Sequence, residues 1–309
     1  MAAHPPPSHL SAEARAWLDD PDPPAPMIDY SDPSAVTAQR EIDHPEWEKA
    51  SDELEGHWTA EPDTIDGVPV VRFSGSADAS LTERLVVHVH GGGFVLGSPM
   101  ANGAMAVPVA QRTGLTVVSI DYRLAPEHRC PAAVDDIVTV HRRLSADHEM
   151  VAMYGESAGA NLALAATVAL RDGGHPLPAR LGLIAGVFDL TCGSDTYETL
   201  REIDPVLCAA GLPQAFARAY AGDDTADPVA SPLFADLRGL PPILVQVGDR
   251  DILFGDSARL TRAVRRDGGK VVLDVWDGMW HVWQVMPRLP ETVTAFDDLA
   301  GFLTDGETP

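Results

Sequence analysis

The chain reads as an α/β protein, a doubly wound and mostly parallel sheet with helices on both faces. Three observations predict this. Short, almost wholly apolar runs recur, as strands buried on both faces require; the clearest are LVVHVH at 85–90, TVVSIDY at 116–122 and MVAMY at 150–154. Between them, apolar residues return at helical spacing. From about Ile65 to the C-terminus the two patterns alternate, the order that builds parallel sheets.

Taken in order, residues 1–60 are rich in Pro, Asp and Trp and predict a peripheral helical piece, not the start of the sheet. Ser11 is a cap for a helix containing Ala14, Trp17 and Leu18, and Ser31 or Ser34 for a second running toward Arg40. Residues 68–73 predict a strand and 74–80 a turn-rich connection. Strands follow at 85–90, 116–122, 150–154, 181–185, 243–247 and 271–275. Helices are expected at about 101–112, 132–144, 158–171, 255–266 and 291–303. One interval breaks the rhythm: from Asp189 to about Asp236 no strong strand occurs, and helical pieces are expected at 204–208 and 212–220. This interval reads as an insertion at the C-terminal edge of the sheet, where ligands of open α/β folds bind. The division is thus 1–60, a first core part 61–189, the insertion 190–236, and a second core part 237–309.

Composition narrows the function. The chain has 309 residues and a formal net charge of −24, and its only lysines are Lys49 and Lys270. Without a Lys/Arg-rich block, nucleic acid and anionic membranes are poor partners. Gly and Pro at 26 each argue against a coiled coil. The cysteines, Cys130, Cys192 and Cys208, are odd in number and widely spaced. They form neither a disulfide framework nor a metal-ligand pattern and read as reduced thiols. The N-terminus lacks a signal-peptide pattern and no stretch approaches transmembrane length, so a cytoplasmic location is expected.

Chemistry concentrates in a few motifs. Gly155-Glu156-Ser157-Ala158-Gly159 stands between a predicted strand and a predicted helix, the setting of a nucleophile elbow. There Ser157 Oγ is lifted above the sheet edge, and the helix N-terminus favours developing negative charge. His90-Gly91-Gly92-Gly93 directly follows the 85–90 strand. Its bare backbone N–H groups suit an oxyanion; Gly92, Gly93 and Ala158 are the candidate donors. The phosphate-loop pattern G-x-x-x-x-G-K-[ST] is absent. His90 reads as shaping the loop.

A serine nucleophile needs a base, and the base an orienting acid. After Ser157 the histidines are His175 and His281. His175 lies between a helix and a strand, on the far side of the sheet. His281 lies beyond a strand's C-terminal end, on the catalytic side, and is the favoured base. The acid should follow the preceding strand, where both Asp249 and Asp251 fit by position.

HGGG at 90–93, GESAG at 155–159 and the run Asp121-Tyr-Arg-Leu-Ala-Pro-Glu-His128, continuing through Pro131-Ala-Ala-Val-Asp-Asp136, resemble the bacterial hormone-sensitive lipase-like esterases. The resemblance runs from about Val68 to Leu303 and matches the N-terminal segment only loosely. It implies an α/β-hydrolase fold whose helical cap is made by residues 1–60 and 190–236. It implies Ser157 as nucleophile, His281 as base and Gly92, Gly93 and Ala158 as oxyanion donors. It selects Asp251, because the family acid commonly stands in Asp-x-Leu. Short- to medium-chain acyl esters are the implied substrates, with no cofactor and no metal. A lactonase, a small-metabolite deacetylase or an acyltransferase would use the same triad. A catalytically inactive binding protein is disfavoured because His281 is present. A homodimer is compatible with the resemblance alone. Phe94, Trp17, Leu212, Phe216, Trp280 and Trp283 are candidates for the substrate pocket. Arg123, Glu127 and Asp135 read as braces of the loop between the two motifs.

Overall fold

The structure, a computed structural model, describes residues 5–75, 84–148 and 150–306. The turn-rich connection expected at 74–80 lies, from residue 76 on, outside the described residues. The chain runs α1 (Ala12–Asp19), α2 (Pro33–Asp52), β1 (Thr59–Ile65), β2 (Val68–Ser74), β3 (Arg84–Val89), α3 (Gly103–Thr113), β4 (Thr116–Ile120), α4 (Ala132–Asp147), β5 (Met150–Glu156) and α5 (Ala158–Asp172). It continues as β6 (Leu181–Ile184), α6 (Thr196–Thr199), α7 (Leu212–Ala221), β7 (Ile243–Gly248), α8 (Phe254–Arg266), β8 (Val271–Trp276) and α9 (Pro290–Asp305).

The strands form one sheet in the order β1-β2-β4-β3-β5-β6-β7-β8. β1 and β2 pair antiparallel, β2 pairs antiparallel with β4, and every later pairing is parallel. Alternation along β3 shows why its run is apolar throughout. Leu85, Val87 and Val89 pack into the core beneath α4, α5 and α8, whereas Val86 enters the core beneath α3 and α9. A strand covered on both faces has no position for a solvated side chain.

Parallel topology places the C-terminal ends of β3, β5, β7 and β8 along one edge. His90-Gly-Gly-Gly, Ser157, Asp251 and His281 each follow one of these ends. His175, which precedes β6, sits at the opposite edge.

Four expectations need correction. β1 falls within the stretch assigned to peripheral helices. It carries Pro62 and faces solvent over residues 61–64, which an edge strand tolerates and a central strand would not. The second N-terminal helix is capped by Asp32, not by Ser31 or Ser34; the Ser34 N–H donates to Asp32 Oδ1 at 2.9 Å. That helix also runs past Arg40 to Asp52, with Pro45 inside it. Residues 204–208 form a turn held by the Asp204 side chain, whose Oδ1 accepts from the Val206 and Leu207 N–H groups. Finally, Asp136 braces the loop and was not among the expected braces: it takes the Arg123 guanidinium on both oxygens, at 2.8 and 2.9 Å. Glu127 braces as expected, pairing with Arg40, whose guanidinium also reaches the Val95 and Ala125 carbonyls.

Candidate active site

The turn between β5 and α5 sets the geometry. Ser157 has φ 54 and ψ −119, a left-handed-side conformation rare for a residue with a side chain. Its strain is held by neighbours that admit nothing larger than glycine. A Cβ at Gly155 would meet the Gly159 carbonyl oxygen at 2.5 Å, and one at Gly159 would meet the Val89 carbonyl oxygen at 2.0 Å. The two glycines of the motif therefore let the elbow pack directly on the end of β3.

Three side chains meet above this turn. Ser157 Oγ lies 3.0 Å from His281 Nε2, and His281 Nδ1 lies 2.9 Å from Asp251 Oδ2. A carboxylate only accepts, so Nδ1–H donates to Asp251 and Nε2 is left to receive the Ser157 proton. Asp251 is fully buried and its Oδ1 accepts the Leu253 N–H at 2.8 Å. Burial alone would lower the His281 pKa. The charge and hydrogen bond of Asp251, with the charges of Asp204 and Glu156, together outweigh it, and the imidazole is shifted above its ordinary value. Asp249 points elsewhere: its Oδ1 accepts the Gly278 N–H at 2.7 Å and so braces the loop that carries His281.

The glycine loop after β3 faces the same point. Gly92 and Gly93 have φ +117 and +61. Among the described residues, no protein acceptor takes the N–H groups of Gly92, Gly93 or Ala158, whereas the Gly91 N–H donates to Glu156 Oε1 at 2.7 Å. His90 shapes the loop, stacked on Tyr122 with ring centroids 4.2 Å apart and bonded through Nδ1 to the Gly91 carbonyl at 2.8 Å. Burial pushes its pKa down to about 3, so it stays neutral. A Cβ at Gly92 would meet the Leu96 carbonyl oxygen at 2.3 Å. Gly92→Ala is accordingly expected to displace the loop and lower kcat by about 10²–10³, the usual effect of losing one oxyanion donor, with little change in KM. Near-wild-type kcat in steady-state kinetics would remove Gly92 from that role.

Glu156 is a residue whose importance local sequence does not reveal. It is buried beneath the glycine loop. Oε1 also accepts from Asn102 Nδ2 at 3.0 Å, and Oε2 accepts from His88 Nε2 at 2.8 Å, whose Nδ1 meets Ser119 Oγ at 2.9 Å. Its three partners, Gly91, Asn102 and His88, all come from residues 88–102, 54 to 68 residues before it, and meet it only in the fold.

A cavity of about 540 Å³ opens over Ser157 and His281. Trp17, Phe94, Leu212, Phe216 and Trp280 line it. Trp283 does not. It is fully buried, beside Trp276 at 5.6 Å, and shares an apolar cluster with Trp280, the backbone between them passing through Val282 at φ 49. Trp17 of α1 stacks on Trp280 at 4.3 Å, so the N-terminal segment rests on the residue preceding His281. Phe216 of α7 covers the glycine loop, where a Cβ at Gly93 would lie 2.7 Å from its ring. Trp47 on the unforeseen part of α2 also lines the cavity.

Comparison with known proteins places the fold. A family described as having the alpha/beta hydrolase fold matches residues 86–285. An acetyl-hydrolase of Streptomyces hygroscopicus is 38% identical over 224 residues, covering 71% of this chain and 75% of that protein. An esterase of Acinetobacter venetianus is 39% identical over 234 residues, covering 74% and 77%. The crystal structure of an esterase from the bacterial hormone-sensitive lipase family superposes with a TM-score of 0.83 at 32% identity, covering 95% of this chain and 97% of that one.

Proposed function

This chain belongs to the α/β-hydrolase fold family, with the esterases of the bacterial hormone-sensitive lipase group, and from that premise we propose that it hydrolyses short- to medium-chain acyl esters through a Ser157–His281–Asp251 triad and an acyl-enzyme. The observation that carries the reading is the continuous path from Ser157 Oγ to Nε2 at 3.0 Å and from Nδ1 to Asp251 at 2.9 Å, at the floor of a largely apolar cavity. His281 accepts the Ser157 proton as Oγ attacks the ester carbonyl. Asp251 holds the tautomer and stabilises the imidazolium. The carbonyl oxygen becomes an oxyanion facing the N–H groups of Gly92, Gly93 and Ala158. His281 then protonates the leaving alcohol, and water, deprotonated by the same nitrogen, releases the acid.

The cavity sits inside the roughly 300–1,000 Å³ range of small-molecule sites and suits a compact ester more than a long lipid. A small acyl group is also favoured by the likeness to a protein named acetyl-hydrolase; removal of acetyl groups from a small metabolite is the second reading. A panel of p-nitrophenyl esters from acetyl to dodecanoyl, with a γ-lactone alongside, tests both. Turnover is expected to be greatest for the short and medium acyl chains. Faster opening of the lactone than of any ester, or no hydrolysis at all, would overturn the proposal.

A further inference from the structure

We infer that Asp204, carried by the segment between α6 and α7, is a positioning residue for the triad, bracing the Asp251 loop from the cap side and adding a second carboxylate behind the His281 imidazole. The inference rests on the proposed triad and goes beyond it, because the chemistry above leaves Asp204 without a task.

The contacts of Asp204 are specific. The side chain is almost fully buried at 1% exposure. Its Oδ1 accepts from Val206 N–H at 2.9 Å and Leu207 N–H at 3.0 Å, and its Oδ2 accepts from Ile252 N–H at 3.0 Å. Ile252 is the residue after Asp251. One carboxylate therefore joins the insertion to the loop carrying the proposed acid. Val206 and Leu207, which it holds in a turn, line the cavity. The cavity wall and the triad acid are thus linked through a single side chain.

Two buried carboxylates at this spot need compensation. The N–H groups of Ile252 and Leu253, just ahead of α8, each bond one of them. The positive end of the α8 dipole lies here too. The titratable groups facing Asp204 are Asp251, His281 and the Cys208 thiol; those facing His281 are Asp251, Asp204 and Glu156. Burial, followed by the charge of Asp251, pushes the Asp204 pKa up to about 6, and His281 pulls the other way. In neutral solution Asp204 is charged, and its field favours the imidazolium that forms as Ser157 attacks.

The sign of the consequence is fixed. A negative neighbour raises the His281 pKa, and hydrolysis needs the neutral imidazole. Asp204→Asn removes the charge, and its amide cannot accept at both positions. The acidic limb of kcat/KM should move to lower pH by roughly half a unit or more. The kcat on the plateau should fall roughly ten- to a hundredfold, as when a partner behind a metal-binding side chain is lost. KM for a short p-nitrophenyl ester should change little. Asp204→Glu keeps the charge but misplaces it; its limb should move less than that of Asp204→Asn while kcat falls.

The decisive measurement is the pH dependence of kcat/KM for wild type, Asp204→Asn and Asp204→Glu, with thermal melting to establish that each is folded. A limb that stays in place in folded Asp204→Asn, or moves equally in Asp204→Glu, overturns the inference. If Asp204→Asn does not fold, proton NMR of the His281 Nδ1–H in wild type decides instead. Two inflections, one from the imidazole and one from Asp204, are expected, and a single one overturns it. Failure of the triad itself would look different, since wild type would then hydrolyse no ester.

Discussion

Ser157→Ala is expected to lower kcat for a p-nitrophenyl butyrate-type substrate by up to about a millionfold, the loss found when the nucleophile of a comparable triad is removed. The size follows from what is lost. Without Oγ no acyl-enzyme forms, and only the oxyanion donors and the binding cavity remain to assist water, worth roughly 10³–10⁴ over the uncatalysed reaction. KM should change little because Cβ stays in place and the lining of the cavity is untouched. Stability should not fall either: alanine keeps the φ of 54 that the packing of Gly155 and Gly159 imposes, and His281, which loses the Ser157 contact at Nε2, faces the cavity there and keeps Asp251 at Nδ1. An organophosphate or sulfonyl fluoride should label wild type at Ser157, as read by peptide mass, and leave the variant unmodified. Activity within tenfold of wild type in a folded Ser157→Ala protein would sink the assignment.

What could be read from sequence, and what could not, follows from the range of the interactions. The central strands were legible because burial on two faces forces unbroken apolar runs, and those at 85–90, 150–154 and 243–247 are each followed directly by glycine. The placement of Ser157, the glycine loop, Asp251 and His281 along one edge then follows from parallel topology. β1 was not legible: Pro62, Asp63 and Thr64 carry no strand signal, and the segment is extended only because β2 pairs with it residue by residue from Thr59 to Ile65. The turn at Asp204 resembled a helix start because an aspartate accepting N–H groups two and three residues ahead is also how helices begin. There the side chain instead spends its other oxygen on Ile252, 48 residues on. Trp280 and Trp283 looked equivalent as neighbouring indoles, and although they share one apolar cluster only Trp280 lines the cavity. Glu156 could be recognised as part of a motif, but its hydrogen bonds to His88, Gly91 and Asn102 reach a stretch 54 to 68 residues before it. Local pattern finds residues that follow a strand end; it does not find those whose partners are assembled by the fold.

The choice between Asp249 and Asp251, which position in sequence left open, leads to the second large effect. Asp251→Asn is expected to lower kcat by about 10⁴, because an amide facing Nδ1 reverses the imidazole tautomer and points Nε2–H at Ser157. The fold should survive. An asparagine carbonyl can still accept the Leu253 N–H that Asp251 Oδ1 holds at 2.8 Å, leaving the amide group toward His281. Asp249→Asn is different in kind. Its oxygen holds Gly278 N–H at 2.7 Å, three residues before His281, and an asparagine carbonyl can replace that acceptor. Its kcat should fall less than about tenfold, since a neutral hydrogen bond is worth only about 0.5–1.5 kcal/mol net. Parallel steady-state kinetics on the two variants separate the roles. A larger loss for Asp249→Asn would make Asp249 the orienting acid. The 2.9 Å contact between Asp251 and Nδ1 would then be a contact without catalytic consequence, despite the full burial that only a partnered carboxylate tolerates. The asymmetry between the two aspartates is therefore one of direction and burial: they stand two residues apart on one loop, and only one faces the imidazole.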